Sequence, residues 1–287
     1  MTSAGDKFTV DELMVTCIAR QAVDGEVMAQ GIATPLVVAG YILAKLTHAP
    51  RLIFAVAVGG VLTEAWSPLS LTGLEEANLR RPRHRFSFDE ATGILLPSFH
   101  PKEFFRPAQV DRRGNFNNVV IGPYHRPRLR LPGCGGIADV SVYSPNIYLY
   151  LPRHSRAAFV ARVDFVSGLG TDRGPGPRYL LSDLGVFDFQ GGNMRLVSYH
   201  PGVSVEEIQR RTGFPLELTP DLHQTAPPSR EEVRLLREVI DPLGIRQLET
   251  LTGAKRRAKL REILALEKAR WPRQPAEVAA RIKNAPS

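Results

Sequence analysis

The sequence predicts an α/β fold built on an open, mostly parallel sheet covered by helices. A short strand at Glu26–Gln30, a helix at about Pro35–Leu46 and a strand at Leu52–Val58 follow in strand–helix–strand order. The last of these is almost wholly apolar, with no polar alternation, as expected of a strand covered on both faces. Further β-rich segments recur at Val119–Ile121, Ile147–Leu151, Phe159–Val166, Tyr179–Leu181, Val186–Phe189 and Met194–Tyr199. At 287 residues, 43% hydrophobic and 23% charged, the chain has the material for one such domain and its core.

Each element has a local cause. The first helix begins at a capping box, Thr9-x-x-Glu12, and carries Val10, Leu13, Met14, Cys17 and Ile18 on one face. Asp24-Gly25 ends it. Pro35 is tolerated in the first turn of the second helix. Between Trp66 and Arg106 the pattern weakens, and Arg80 to Arg85 reads as a solvated loop. Gly168-x-Gly170 and Gly174-Pro-Gly176-Pro177 mark a second loop. Ser204-x-x-Glu207 opens a helix that stops at Gly213, and Ser229-x-x-Glu232 opens another, Glu231–Ile240, closed by Pro242. Leu260, Ile263, Leu264 and Ala269 then give an amphipathic helix over Lys255–Arg270. The expected division is a domain over residues 1–250 and a basic helical extension over 251–287.

Charge and cysteine content exclude several classes. Of the net +8, residues 250–287 hold +7, from ten Lys/Arg against three acids, which leaves a nearly neutral body. The one aromatic of that tail is Trp271, too few for base stacking, so no nucleic-acid partner is expected. The longest apolar stretch, Leu52–Leu62, is far short of the ~20 residues that span a bilayer. With no h-region at the start, and with Cys17 and Cys134 alone, the chain reads as a cytoplasmic protein with reduced thiols and no membrane association. No His/Cys/Asp/Glu cluster has metal-ligand spacing, so no metal is expected, and the glycine segment lacks the dinucleotide fingerprint.

Three segments point to chemistry: Gln109-Val-Asp-Arg-Arg-Gly-Asn-Phe-Asn117, Leu131-Pro-Gly-Cys-Gly-Gly-Ile-Ala-Asp139, and Leu184-Gly-Val-Phe-Asp-Phe189 running on to Phe214. In the second, Gly133, Gly135 and Gly136 surround Cys134, so backbone N–H groups can approach a ligand without obstruction by a Cβ. A helix starting at Ile137 would place them at its positive end, suited to an oxyanion or phosphate. Gln109, Asn115 and Asn117 are candidate positioning amides, with hairpin-turn chemistry as the alternative. Asp111, His154 and His200 are acid–base candidates, with local structural bonding as their alternative.

Together with His154-Ser155, these motifs resemble the beta subunit of family I CoA transferases, the glutaconate CoA-transferase type. The resemblance implies a CoA-transferase-like, Rossmann-like single domain and an active site shared with an alpha-type subunit, in a heterodimer or heterotetramer. It implies an acyl-CoA substrate and no permanently bound cofactor, coenzyme A entering as part of the substrate. In that family a glutamate at the end of the strand matching Leu52–Val58 attacks the thioester; here the position falls near Ala55 or Val56, which cannot be acylated. Glu64 is the alternative if the match is displaced. The stretch Asp183–Asp241, with Val166-Ser-Gly-Leu-Gly170, further resembles the beta subunit of the steroid-ring-degrading CoA hydrolase branch of bacterial sterol catabolism. That branch lacks the beta-subunit nucleophile. It opens a carbocyclic ring of a CoA-linked dicarbonyl by retro-Claisen-like hydrolysis, with the base implied in the alpha subunit. A CoA transferase and a catalytically silent supporting subunit are the other readings.

Overall fold

The computed structural model describes residues 8–31, 34–56, 60–73 and 81–270. The last two positions of the expected strand ending at Val58, Arg80 of the expected loop, and residues 271–287 of the expected extension lie outside them. The helix opened by Thr9 is α1, Val10–Ala19, and the Glu12 carboxylate accepts the Thr9 N–H at 2.8 Å. β1 (Val27–Gln30), α2 (Pro35–Thr47) and β2 (Ile53–Val56) follow. α2 contains two valines and Gly40, all modest helix formers, so tertiary packing of its buried surface holds it. A Cβ on Gly40 would lie 2.5 Å from Cγ2 of Ile18, so glycine is what lets α1 and α2 approach.

β3 (Val61–Thr63) and β4 (His84–Arg85) extend the sheet beyond β2. α3 (Phe88–Glu90) and α4 (Leu96–Phe99) bracket a π turn, and β5 (Lys102–Phe105) then enters the centre of the sheet. Two small hairpins come next: β6 (Gln109–Val110) with β7 (Phe116–Asn117), and β8 (Val120–Ile121) with β9 (Leu129–Arg130). After them come α5 (Ile137–Tyr143), β10 (Ile147–Leu151), β11 (Tyr179–Ser182), β12 (Gly185–Asp188) and β13 (Arg195–Tyr199). The chain continues through α6 (Val205–Arg211), β14 (Glu217–Gln224), α7 (Arg230–Arg234), α8 (Gln247–Thr250) and α9 (Gly253–Arg270).

Among the described residues the main sheet has the order β14-β13-β12-β11-β10-β5-β1-β2-β3-β4. Its centre, β11-β10-β5-β1-β2, is parallel, while β2-β3-β4 and β11-β12-β13 pair antiparallel. The open α/β sheet is therefore the expected one, with a parallel centre, antiparallel pairs toward its flanks and β14 added parallel to β13 at one edge. Met28, Phe54, Phe104 and Tyr150 face a core shared with α1 and α2. Phe105, Ile147 and Leu149 face a second core with Val140 of α5 and Phe116 of the hairpin.

The structure differs from expectation in several places, among them His84–Arg85, which form β4 within the segment that reads as a solvated loop. Phe159–Val166 is not a strand: Phe159 makes a single bridge to Val110, and the Asp164 carboxylate turns the segment by accepting from Gln109 and Gly122. Its apolar residues go to separate contacts, Phe159 to the second core and Phe165 to a stack on Tyr124. β5 was hidden by its charged first half, Lys102-Glu103, and β14 by its exposed, edge-strand composition. The helix begun at Ser229 changes to a π turn over Leu235–Ile240.

Two buried contacts fasten the C-terminal segment to α1 and to the loop after β3. Arg246 lies 2.8 Å from Asp11, 3.0 Å from Glu12 and 3.0 Å from Asp241. Further on, Ile263 of α9 is fully buried and Glu267 accepts three hydrogen bonds from Leu71 and Thr72, so the basic helix is docked on the body. No helix among the described residues is long and apolar enough to cross a membrane.

Truncation after Thr252 removes the contacts of Ile263 and Glu267 and keeps those of Arg246. Losing the burial of Ile263 costs about 2 kcal/mol, which lowers the thermal midpoint by roughly 4–8 °C. Turnover per folded molecule stays unchanged in a steady-state assay; an unaltered midpoint would show that α9 does not hold the body together.

Candidate active site

The chain passes from β1 through α2 to β2 on one side, then returns to β5 on the other side of β1. The strand order therefore reverses between β1 and β5, and in open α/β sheets ligands bind beyond the carboxyl ends of strands at such a point. Ala55 and Val56 stand at that end of β2, 8% and 2% exposed, and neither side chain offers a heteroatom. Glu64 follows the antiparallel β3, whose Thr63 pairs with Phe54, so it lies toward the amino end of β2 and pairs with Arg83 at 2.6 Å. Glu90 caps α3, accepting the Ser87 N–H at 2.7 Å. Glu75 and Glu76 lie outside the described residues.

Behind the strand ends sits Glu249, from α8. It accepts the Leu36 N–H at the start of α2 at 2.9 Å and the Tyr150 hydroxyl at 2.9 Å, and it pairs with Arg106 just after β5. Burial raises the Glu249 carboxyl above its ordinary range, against the opposing pull of Arg106, the Leu36 N–H and Tyr150. Arg106 keeps 42% of its side chain accessible.

The next wall is the β6–β7 hairpin. Gln109, Asn115 and Asn117 are buried, and their amides are engaged within the protein. Gln109 donates to Asp164 at 3.0 Å and accepts from Asn117 at 2.8 Å; Asn117 also donates to the Val120 carbonyl. Asn115 donates to Asp111 and to Asp172, and accepts the Gly170 N–H. Asp111 in turn accepts the Arg113 and Asn115 N–H groups. These side chains shape the backbone at Asn118, whose Nδ2 donates to the Arg106 carbonyl and whose carbonyl accepts the Gly133 N–H at 3.0 Å.

Through that last bond the hairpin holds the glycine loop. A helix does begin at Ile137, with Gly136 as its left-handed N-cap at φ 75°. The Gly133 N–H is committed to Asn118, whereas the N–H groups of Cys134, Gly135 and Gly136 donate no hydrogen bond among the described residues. A Cβ on Gly133, Gly135 or Gly136 would meet nothing within 4 Å, so the loop borders open space. Cys134 is a free, half-buried thiol.

The two histidines are structural. His154 bonds Ser182 and Thr212 through its two ring nitrogens and stacks on Phe159 at 3.6 Å; burial, helped by Arg211, pulls its pKa down to about 3. His200 bonds Thr225 and donates Nε2–H to the Ser182 carbonyl, and burial lowers it to about 4. Among the described residues no group of three His, Cys, Asp or Glu is placed to hold a metal ion.

One carboxyl was not among the expected site residues. Glu103, in β5, is in register with Ala29 of β1, and Ala29 with Ala55 of β2. Strand alternation puts all three on the face of the sheet opposite Phe54 and Phe104, the face on which α5 packs. Glu103 is half-buried, no hydrogen bond reaches its carboxylate among the described residues, and burial raises it to about 7. The available signal was an acid directly before two phenylalanines, Lys102-Glu-Phe-Phe105. Arg106 and Glu249 were also missed, because a contact between residues 143 positions apart leaves no local pattern. Flanking this face, α3, α4 and α5 and the turn between the first two expose Phe88, Ile94, Phe99 and Val142.

The model of the coenzyme A transferase family matches residues 104–211. The chain is 30% identical over 266 residues to one of the subunits of glutaconate CoA-transferase from Acidaminococcus fermentans, covering 86% of this chain and 98% of that protein. It is 33% identical over 248 residues to the IpdB subunit of the cholesterol ring-cleaving hydrolase from Rhodococcus jostii, covering 78% and 89%. Among solved structures, that of the decarboxylase AibA/AibB is similar with a TM-score of 0.77 and 31% identity, over 85% of this chain and 99% of that one.

Gly135→Val tests the loop without disturbing the fold, since a Cβ there meets nothing within 4 Å. The added side chain blocks the close approach of a ligand to the N–H donors; losing one such donor costs about 3 kcal/mol in the barrier, roughly 100-fold in rate. The expected result is a kcat/KM at least about tenfold lower with an unchanged thermal midpoint. An unchanged kcat/KM would remove the loop from the site.

Proposed function

The chain belongs to the coenzyme A transferase family, and on that premise we propose that it is the beta-type subunit of an acyl-CoA hydrolase. The reaction is opening of a carbocyclic ring in a CoA-linked dicarbonyl compound by retro-Claisen-like addition of water, with an alpha-type subunit as partner. The observation that carries this reading is the carboxyl end of β2, where Ala55 and Val56 stand in place of a glutamate. Without a carboxylate there, this chain has no group at that position to form an acyl anhydride or carry CoA as a thioester. Similarity to the cholesterol ring-cleaving hydrolase subunit favours ring opening over CoA transfer, and a steroid-type ring is the substrate class we infer.

Water, activated by a base from the alpha subunit, adds to a ring carbonyl. The resulting alkoxide collapses with C–C cleavage, and the electron pair passes into an enolate stabilised by the neighbouring carbonyl. The N–H groups of Cys134, Gly135 and Gly136 supply oriented donors for the developing oxyanion. Gln109, Asn115 and Asn117 act on the substrate indirectly, by fixing the backbone that holds Gly133. The apolar surface of Phe88, Ile94, Phe99 and Val142 is suited to burial against the alpha subunit. A cytoplasmic setting fits free Cys17 and Cys134.

Co-expression with an alpha-type subunit permits a direct test, with acyl-CoA supplied in the presence and absence of an acceptor acid. The expected outcome is no acyl-CoA formed from the acceptor, and an intact mass for this chain that is unchanged after borohydride or hydroxylamine. CoA transfer with a modified glutamate in this chain would establish the transferase reading instead.

A further inference from the structure

We infer that Glu103 is a catalytic acid of this chain, delivering a proton to the carbanion carbon released when the ring opens. The inference rests on the ring-opening reading and assigns a step that reading leaves open. Its first support is position. Ala55, Ala29 and Glu103 lie in one row across β2, β1 and β5, so the carboxyl stands two strands from the position that lacks a nucleophile and on the same face. Neighbouring strands are spaced about 4.8 Å apart, so two strands is roughly 10 Å, within the span of a ring system and its carbonyls. The two alanines leave that part of the sheet low, and Gly31, just past β1, has nothing within 4 Å of where a Cβ would be.

The second support is the lack of a structural task. Other carboxylates around this end of the sheet are occupied: Glu249 by Leu36, Tyr150 and Arg106, Asp111 by its own turn, Asp164 by Gln109 and Gly122. The Glu103 carboxylate receives no hydrogen bond among the described residues, although its backbone N–H is paired with the Asn146 carbonyl in the sheet. Such a carboxylate in a central strand is a cost to folding, which a proton-transfer role explains. Its charge acts on Tyr41 of α2, bonded to the Ala29 carbonyl, and on Tyr143 of α5, bonded to the Thr92 carbonyl. Neither supplies a positive charge, so burial dominates and keeps the acid form populated near neutrality, with a pKa of about 7.

The step balances. Water gives one proton to the alpha subunit's base as its oxygen bonds to the ring carbonyl. The C–C bond breaks, its electron pair moves to the carbon beside the remaining carbonyl, and the Glu103 carboxyl protonates that carbon. Glu103 is left as a carboxylate and regains a proton from solvent, while the alpha subunit's base returns its own.

The test uses the alpha–beta complex and a CoA thioester carrying a cyclic 1,3-dicarbonyl ring, with wild type, Glu103→Gln and Glu103→Asp compared across pH. In the wild type kcat falls as pH rises through about 7, because the acid form is required. Glu103→Gln lowers kcat about 100-fold or more, the scale of a lost general acid, with little change in KM, and loses that limb; Glu103→Asp keeps the limb at reduced rate. A folded-state pKa above the unfolded value means wild-type stability declines as pH rises from about 4.5 to about 7. Glu103→Gln therefore gains thermal stability relative to wild type at pH 8 but not at pH 4.5, a readout independent of turnover. Ring opening by Glu103→Gln within threefold of wild type, with the same pH limb, overturns the role of Glu103 and leaves the hydrolase reading standing. A wild-type complex that transfers CoA and opens no ring overturns the hydrolase reading itself.

Discussion

Glu249 brings a carboxylate, nearly removed from water, against the open N-terminus of α2, the Tyr150 hydroxyl and the Arg106 guanidinium. This contact joins α2, β10 and the exit of β5, the elements that frame the carboxyl end of the sheet. Its placement depends on a second charged cluster. Asp241 accepts the Ile245 and Arg246 N–H groups and so turns the chain into α8, while the Arg246 side chain reaches Asp11 and Glu12 at the start of α1. Burial alone would raise the Glu12 pKa, yet Arg237, the Thr9 N–H and Arg246 outweigh it and hold the carboxyl below its usual range. Removing one partner from such a buried network typically costs about 3–5 kcal/mol, as much as a large cavity in the core. Here the cost would fall on the geometry of the strand ends.

That frame separates two kinds of polar group. The hairpin amides, the two buried histidines and Asp111 use their hydrogen bonds inside the protein and fix its shape. The N–H groups of Cys134, Gly135 and Gly136, part of Arg106, and Glu103 retain unused capacity, and they flank the region where the strand order reverses. A site that stabilises an oxyanion needs donors already oriented and not reorganised during reaction. The bond from Gly133 to Asn118 provides that fixity by committing one of the four donors.

Much of this was legible in the sequence because its causes are local. The strand–helix–strand start, the capping boxes at Thr9 and Ser229, and the helix beginning at Ile137 all follow from a few adjacent residues. The glycine loop could be recognised because it lacks side chains, and the resemblance of its motifs to CoA-transferase beta subunits led to the family. What escaped was non-local. β5 is the middle of the sheet, yet its four residues include Lys102 and Glu103, whose tolerance there depends on strands far away in sequence. Phe159–Val166 has strand composition but finds its hydrogen bonds in the hairpin instead. The same logic applies to Gln109 and Asn117: their residue types suggest ligand contacts, whereas their partners, visible only in three dimensions, are each other and the surrounding backbone.

In the proposed reaction water, and not a side chain of this subunit, forms the new bond to carbon. A single-turnover reaction of the alpha–beta complex in oxygen-18 water, with a CoA thioester of a cyclic 1,3-dicarbonyl compound, measures this directly by mass spectrometry. The predicted result is a ring-opened product that gains one labelled oxygen in its new carboxylate and keeps its CoA thioester. An unopened ring, with CoA lost from the substrate and found on an acceptor or on a glutamate of this chain, would contradict it.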